Sequence, residues 1–441
     1  MHFDVVARAC ARIEQETSRT VITDILADLF KQTSPEEAHF LAYFCLGQLY
    51  PAHENKNLNL ATKSVVKAMA SMLDRDGKEV TEQVKEMGDV GLFIKQALLD
   101  QRGLARRSLS EAWVDEPTEV TVMQVCDELH RILETTGTGS QEAKETLLIG
   151  LIQKLSAESA CYIVRSVVGK LRLGFSDMTL LDAYSWMARG DKTLRPALEH
   201  AYNVSADIGQ VVHMLKDQGA DALDHATIVP GVPVRPAAAE RLADAHAVVE
   251  KLGDCVAQPK LDGFRVQIHV WTDDNDQRQV RFFSRNLHDM SEMFPDLAAL
   301  VKDLPANSIV MEGEAIVHHP DTGQFLPFQE TVKRKRKHGV DDAAEQLPLT
   351  LYLFDLLFIN GRSLLATGHD SRRRQMQELC AGVPEESKLL VIEERETNTG
   401  DELAVYFDEA MSQGLEGLVI KKPHAHYQPG KRNFNWIKLK R

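Results

Sequence analysis

The octapeptide Gln258-Pro259-Lys260-Leu261-Asp262-Gly263-Phe264-Arg265 gathers reactive side chains into a short stretch. Side chains alternate in direction along an extended strand, so Gln258, Lys260 and Asp262 share one face, with Pro259 and Leu261 behind. Gly263 then supplies a turn. A lysine held in a pocket can lose its proton and act as a nucleophile. Alone, this pattern equally suits a surface hairpin corner. The later strands change the reading. In SIVMEGEAIV, Glu312 and Glu314 share a face, which offers a carboxylate to the same cavity. In LTLYLFDLLFING, Phe354 shares a face with Tyr352 and Phe358, with Asp355 opposite. In GLEGLVIKK, Glu416 precedes Lys421 by five residues. In NWIKLK, Trp436, Lys438 and Lys440 face one way while Ile437 and Leu439 pack behind. A lysine nucleophile, carboxylates, an aromatic plate and a row of cations are the parts that nucleotidyl transfer from a triphosphate requires.

Two kinds of element must position these groups. The first ~220 residues read as helix after helix, an all-α region. TSRTVITDILADLFKQ sets Val21, Ile22, Ile25, Leu26 and Leu29 at helical spacing, and the pattern recurs in SPEEAHFLAYFCLGQLY, ATKSVVKAMASMLD and SQEAKETLLIGLIQKLSAESACYIVRSVVGKLRL. Several of these open on Ser or Thr followed by acids, as helix N-termini do. DQGADALDHATIVPGVPVRPA (217–237) is rich in Pro and Gly without helical period and marks a boundary. The expected domains are 1–222 and 223–441. Beyond the boundary, short β-type runs (CVAQPKLDGFRVQIHVW, QVRFFS, SIVMEGEAIVHH, LTLYLFDLLFI, GLEGLVIKK, NWIKLK) alternate with helical DSRRRQMQELC and GDELAVYFDEAMSQ. That pattern predicts an α+β domain with antiparallel sheets.

Composition narrows the class. The chain has 441 residues, 44% hydrophobic and 26% charged, which suits two or three globular domains and excludes a disordered chain, a collagen or a coiled-coil rod. No apolar run approaches the ~20 residues of a membrane span, so no membrane partner is expected. Six widely spaced cysteines, without a CxxC pair, make a disulfide scaffold or cysteine-bound zinc improbable and suggest a reducing cytoplasm, with the chromosome if the cell is prokaryotic. The net charge of −14 argues against coating nucleic acid by bulk electrostatics. Charge is segregated, however: the last 21 residues hold seven Lys or Arg and no acid, and KRKRK runs from 333 to 337. That run reads as a solvated loop, with contact to a DNA backbone as the sharper alternative. His318-His319 and His424/His426 lack further ligands at metal spacing.

The ordered series KLDGFR, SRNLHDMS (284–291), EGEAIV (312–317), LYLFDLLFING (351–361), EGLVIK (416–421) and WIKLK (436–440) resembles the motifs of covalent nucleotidyltransferases. It is most similar to ATP-dependent DNA ligases of the archaeal and eukaryotic kind. LGQLYP (46–51) and VVGKLRLGFSDMTLLDA (167–183) resemble the helical DNA-binding domain of that family, and PGVPVRPA (230–237) its interdomain junction. The resemblance implies a helical DNA-binding domain at 1–222 and an adenylation domain at 223–441.

It further implies that Lys260 attacks the α-phosphorus of ATP and carries AMP, which passes to a 5′-phosphate before a 3′-hydroxyl seals nicked double-stranded DNA. Gln258 would read the adenine edge, where the family usually has Glu. Arg265 and Glu314 would hold the ribose and nearby phosphate, and Phe354 would stack on adenine. Arg285 would contact the nucleotide or the 5′-phosphate. Glu416 and Glu314 would position Mg²⁺. Arg432, Lys438 and Lys440 would neutralise the triphosphate, with Lys421 near the same charge. Lys170 and Arg172 read either as phosphate contacts or as helix surface.

Family members normally continue into an OB-fold domain; this sequence stops at Arg441, so that domain is expected to be absent and both self-adenylylation and nick closure impaired. Rival readings are an RNA ligase or mRNA-capping guanylyltransferase, disfavoured by the helical half, and a nick-binding protein that has lost catalysis. NAD⁺-dependent ligases carry a cysteine zinc finger that these cysteines cannot build. A sliding clamp is a partner the resemblance allows, but no clamp-binding peptide is readable, and a monomer is expected. If local basic stripes grip the DNA, affinity for a nicked duplex falls by orders of magnitude between about 50 and 200 mM salt in a binding titration; a flat response contradicts the basic-stripe reading.

Overall fold

The computed structural model describes residues 1–108, 119–319, 324–326, 328–334, 339–384 and 386–440, with side chains 102–108 and 341 left aside. Lys335, Arg336 and Lys337 of the basic run lie outside the described residues. The chain divides into two compact units: Met1–Pro51, Asn55–Tyr202 and Asp207–His225 form one, and Ala52–Glu54, Asn203–Ala206 and Ala226–Arg441 the other.

The first unit is helical because its apolar residues recur on one face of each segment. Helices Phe3–Glu14, Arg19–Lys31, Pro35–Phe44, Thr62–Met72, Gly77–Met87 and Val90–Ser108 are followed by Val122–Glu134, Ser140–Gln153, Ala157–Val167, Asp177–Arg189, Arg195–Ser205 and Ile208–Gln218. Ser34 with Glu37, and Thr121 with Gln124, form reciprocal capping boxes that satisfy backbone N–H groups at two helix starts. In Arg19–Lys31, Ile22, Ile25, Leu26 and Leu29 are buried as expected, but Val21 stands at the edge of the stripe and is exposed. The long periodic run from Ser140 breaks before Ser156, whose hydroxyl caps the next helix by accepting from Ser159 N–H. That helix ends at Val167, so Lys170 and Arg172 lie in an irregular segment rather than on a helix surface. Arg172 adopts a left-handed φ of 61° and reaches back to the Gly88 carbonyl (2.9 Å) and Asp89 (3.3 Å).

At the centre of this unit Arg165, its side chain 2% exposed, donates to Glu14 (2.7 and 3.0 Å) and Asp89 (3.0 Å). Three segments distant in sequence are thereby joined by one guanidinium, whose fork matches carboxylates bidentately. All six cysteines carry free thiols.

The second unit is an α+β domain of two sheets. Its strands are β1 (Ala238–Leu242), β2 (Cys255–Pro259), β3 (Phe264–Thr272), β4 (Arg278–Ser284), β5 (Ser308–Val317) and β6 (Leu349–Ile359). There follow β7 (Arg362–Ser363), β8 (Leu389–Val391), β9 (Arg395–Thr397), β10 (Leu418–Lys421) and β11 (Arg432–Leu439). One sheet has the order β1-β11-β10-β2-β9 and the other β4-β3-β5-β6-β7, with β8 beside β6. Pairing is antiparallel except for β1–β11 and β6–β8.

Each sheet buries its outer face under helices. Val266, Ile268, Met311 and Leu353 pack beneath the helices Pro295–Val301 and His369–Cys380, while Ala257, Leu418, Ile420 and Ile437 pack beneath Ala245–Leu252 and Gly400–Ser412. A third apolar seam of Val310, Leu357, Phe358, Tyr427 and Trp436 joins the inner faces. Within the basic run, Arg334 is not solvated: it is buried and donates to Asp296 (2.6 Å), whereas Lys333 is exposed and pairs with Glu330.

Arg165→Met strips Glu14 and buried Asp89 of their shared cation. It should lower stability by about 3 kcal/mol, the order found when one member of a buried ion pair is deleted. Denaturant unfolding followed by helical circular dichroism checks this, and a loss below about 1 kcal/mol, typical of an exposed pair, contradicts it.

Candidate active site

Lys260 sits where the chain leaves one sheet and enters the other. β2 belongs to the first sheet and β3 to the second, and Lys260–Gly263 is the only covalent step between those two strands. The backbone holds this step at both ends. Lys260 N–H donates to the Gly417 carbonyl (2.8 Å), and its own carbonyl accepts from Glu416 N–H (3.3 Å). Gly417 has φ 138°, and a Cβ there would collide with the Leu439 carbonyl oxygen. At the far end Gly263 N–H donates to Glu314 Oε1 (3.1 Å), and a Cβ on Gly263 would strike the Ala315 carbonyl oxygen. Both glycines are needed for close approach of backbone. The Lys260 ammonium pairs with the Glu416 carboxylate.

Between the facing sheets opens a cavity of about 650 Å³. Gln258, Val419, Trp436, Lys438 and Lys440 line it from the first sheet and its ends; Arg265, Glu314 and Phe354 line it from the second; Arg285 enters from the turn after β4. Lys260, Glu416, Lys421 and Arg432 complete the set, so every residue that the resemblance assigns to the nucleotide or the metal reaches this one cavity. Register explains the gathering. Gln258 lies opposite Val419, which lies opposite Lys438, and Arg265 lies opposite Glu314, each a cross-strand pair whose side chains share a face.

Several of these side chains have partners that their types did not reveal. Arg265 is clamped by Glu312, with Nη2 2.9 Å from both carboxylate oxygens, and it donates to the Ala237 carbonyl (3.1 Å). Its guanidinium lies over Phe354 and Trp436, 5.4 and 5.8 Å from the ring centroids. Glu312 therefore serves Arg265 and the Tyr427 hydroxyl (2.8 Å) and does not line the cavity. Lys421 is 1% exposed, donates to the Phe354 carbonyl (2.9 Å), and stands 4.4 Å over the Trp436 ring and 3.7 Å from Asp355. It lies behind the aromatic plate rather than among the exposed cations. Gln258, 2% exposed, donates through Nε2 to Glu394 (2.7 Å).

The electrostatics follow from burial set against these partners. Burial pushes the Glu314 carboxyl up to about 7, against the pull of Arg265 and Lys260. Burial would also raise Glu416, but the hydrogen bond and charge of Lys260, with Lys440 and Lys438 nearby, bring it below the usual carboxylate value. Burial acts first on Lys438, and Arg432, Lys440, Arg285 and Lys260 add repulsion, lowering its ammonium pKa. Those cations form a wall that wants an anion. Behind it, burial opposes ionisation of Asp355, yet Arg372, Lys421 and His369 hold it well below the carboxylate range. Burial brings Lys421 down to about 8, against Asp355 and Glu394.

Sequence reasoning missed Val419, Glu394, His369, Arg372 and Tyr427. Val419 was discoverable once Gln258 and EGLVIK were aligned as neighbouring strands. Glu394 sits among the acids of IEERE and has no distinguishing spacing.

Three comparisons bear on this arrangement. The family model described as DNA ligase N terminus matches residues 2–185, and that described as ATP dependent DNA ligase domain matches residues 236–440. A protein of Dictyoglomus turgidum named probable DNA ligase is 38% identical over 100% of this chain and 72% of its own length. DNA ligase 2 of Thermofilum pendens is 37% identical over 100% of this chain and 72% of its own. The solved structure named Pmar-Lig_Pre. shares the fold, with a TM-score of 0.53 and 16% identity over 99% of this chain and 77% of its own. Among the described residues no helix is long and apolar enough to cross a membrane.

Lys421 supplies a pH test. Its folded-state pKa is depressed, so between about 8 and the unfolded value near 10.5 the unfolded chain binds more protons, and stability rises with pH. Relative to Lys421→Met, the wild type should gain stability from pH 8 to pH 10 in urea titrations. A difference that is flat or narrows contradicts the burial of a charged amine at this position.

Proposed function

The chain belongs to the ATP-dependent DNA ligases, and on that premise we propose how its residues divide the work. The family transfers AMP from ATP through a lysyl-AMP to a DNA 5′-phosphate and then seals the strand. The observation carrying the assignment is the gathering of Lys260, Glu416, Glu314, Phe354 and the cations Arg432, Lys438 and Lys440 around one cavity.

Lys260 is the nucleophile. Its Nζ, freed of a proton, forms a bond to the α-phosphorus while the bond to the bridging oxygen breaks and pyrophosphate leaves with that electron pair. Charge builds on nonbridging oxygens during this displacement, and preorganised cations stabilise it. Lys438, Lys440 and Arg432 supply that wall, and their mutual repulsion is relieved when a triphosphate arrives. Phe354 and Val419 offer apolar surfaces to the adenine and Gln258 its edge. Arg265, held flat on Phe354 by Glu312, orients that plate and presents its remaining edge to the ribose. Lys421 supports Phe354 and Trp436 from behind rather than binding phosphate. Arg285, on an exposed turn at the rim, is placed for the nucleotide or for the 5′-phosphate of a nicked duplex.

Mg²⁺ fits the donor set. Among the described residues no group of three or more His, Cys, Asp or Glu stands together as a metal cage. Mg²⁺ characteristically takes one or two carboxylates plus phosphate and water, which Glu416 and Glu314 can furnish beside a triphosphate. When bound it would supply charge neutralisation at the α-phosphate. Glu416 also pairs with Lys260, so the same carboxylate orients the amine. Residues 1–222 are assigned the DNA-gripping role, with nicked double-stranded DNA as substrate.

Incubation with Mg²⁺ and α-labelled ATP tests this. The wild type should retain label after denaturation and acquire none when Mg²⁺ is chelated before ATP is added, and Lys260→Ala should carry none. Equal labelling of both proteins removes Lys260 from its role, and stronger labelling by GTP than by ATP favours a capping-type transferase.

A further inference from the structure

The adenine-facing glutamine is backed by a buried polar relay that nothing in the transfer chemistry uses. Gln258 Nε2 donates to Glu394 Oε2 (2.7 Å), and the same oxygen receives His369 Nε2 at 2.8 Å. Arg373 stands 3.4 Å from the other Glu394 oxygen. Gln258 and His369 are almost fully buried, and the Glu394 side chain is 8% exposed. Burial would raise the Glu394 carboxyl, but His369, Arg373 and Lys421 lower it, so it is a carboxylate that only accepts.

An amide can present its oxygen or its nitrogen, and its orientation is settled by its partners. Facing a carboxylate, the Gln258 NH₂ must point at Glu394, and the amide oxygen is left for the cavity. Among the described residues no donor reaches that oxygen. An acceptor at this position matches the 6-amino group of adenine and repels the 6-oxo group of guanine.

We infer that Glu394, held by His369 and Arg373, is the positioning residue that sets adenine selectivity by fixing the direction of the Gln258 amide. This rests on the reading of Gln258 as the base-edge contact. Replacing Glu394 by Gln has a directional consequence. Arg373 claims the new amide oxygen at the place of Oε1, so the new NH₂ takes the place of Oε2, where one proton goes to His369 Nε2 and the other faces Gln258, whose oxygen turns back to accept it. Gln258 then offers NH₂ to the cavity, a donor that suits guanine. Exchanging both residues restores the pattern: Gln at 394 donates to Glu at 258, whose second oxygen accepts from adenine.

The experiment measures single-turnover self-nucleotidylylation of the full chain against α-labelled ATP and GTP. It compares the wild type, Gln258→Ala, Glu394→Gln and the double variant Gln258→Glu/Glu394→Gln. In Glu394→Gln the half-saturating ATP concentration should rise about tenfold and the ATP-over-GTP preference fall by at least about as much, the worth of one or two polar contacts. The maximal rate with ATP should stay within about twofold, because the groups around the α-phosphate are untouched. The double variant should recover the preference, and it decides the matter should the single variant not fold. An unchanged preference in Glu394→Gln, a fall in maximal rate alone, or a double variant without recovery overturns the inference. If Gln258→Ala loses the preference while Glu394→Gln keeps it, the base-edge reading stands and the role of Glu394 falls. If Gln258→Ala keeps the preference, both fall.

Discussion

The link between Lys260 and Glu416 is the constraint on which the site depends. It is made twice, by the Glu416 N–H to the Lys260 carbonyl and by the ion pair of the two side chains, and is reinforced by the Lys260 N–H to the neighbouring Gly417 carbonyl. Because Lys260 begins the crossing from β2 to β3, fixing it to the start of β10 also fixes the angle at which the second sheet departs. Gly263 and Gly417 leave no space for a side chain at either end of the crossing. The nucleophile is therefore not mounted on a flexible loop. Supporting shells of this kind are what hold reacting groups within the fractions of an ångström that displacement chemistry requires.

Charge is sorted around this crossing by depth. On the open side stand Arg285, Arg432, Lys438 and Lys440, cations that repel one another and are stabilised by a polyanion. On the closed side Asp355, Arg372, Lys421, His369 and Glu394 neutralise one another out of water. Glu314 lies between the two zones, and its pKa near 7 reflects a carboxylate taken from water without a full counter-charge. A chain of net charge −14 can thus carry a strongly basic cavity, because its acids are spent elsewhere on the surface or in the interior.

Much of this was legible in the sequence, and for a physical reason. Alternation along β2, β5, β6 and β11 determines which side chains share a face, so Lys260, Glu314, Phe354 and Lys438 could be assigned to one cavity from spacing alone. What alternation cannot convey is partnership across strands whose register is unknown. Glu312 shares a strand face with Glu314, yet the register that sets Gln267 opposite it and the approach of Tyr427 turn it into the clamp of Arg265. The resemblance sets Lys421 near the phosphate charge, and spacing carries no sign that the rings of Phe354 and Trp436 stand over its amine. Arg334 reads as one of five surface cations and is buried because Asp296 arrives from a separate helix. Glu394 and His369 carry no periodic signature, since their roles depend on where one loop and one helix start happen to meet.

The central claim is that one amine, among four lysines in the same cavity, is fixed to receive the adenylate. Peptide mapping by mass spectrometry after incubation with ATP and Mg²⁺ measures this directly, because it distinguishes Lys260 from Lys421, Lys438 and Lys440. The account predicts AMP on a single peptide, joined through the Lys260 nitrogen. AMP on any of the other three lysines, or spread among them, contradicts it.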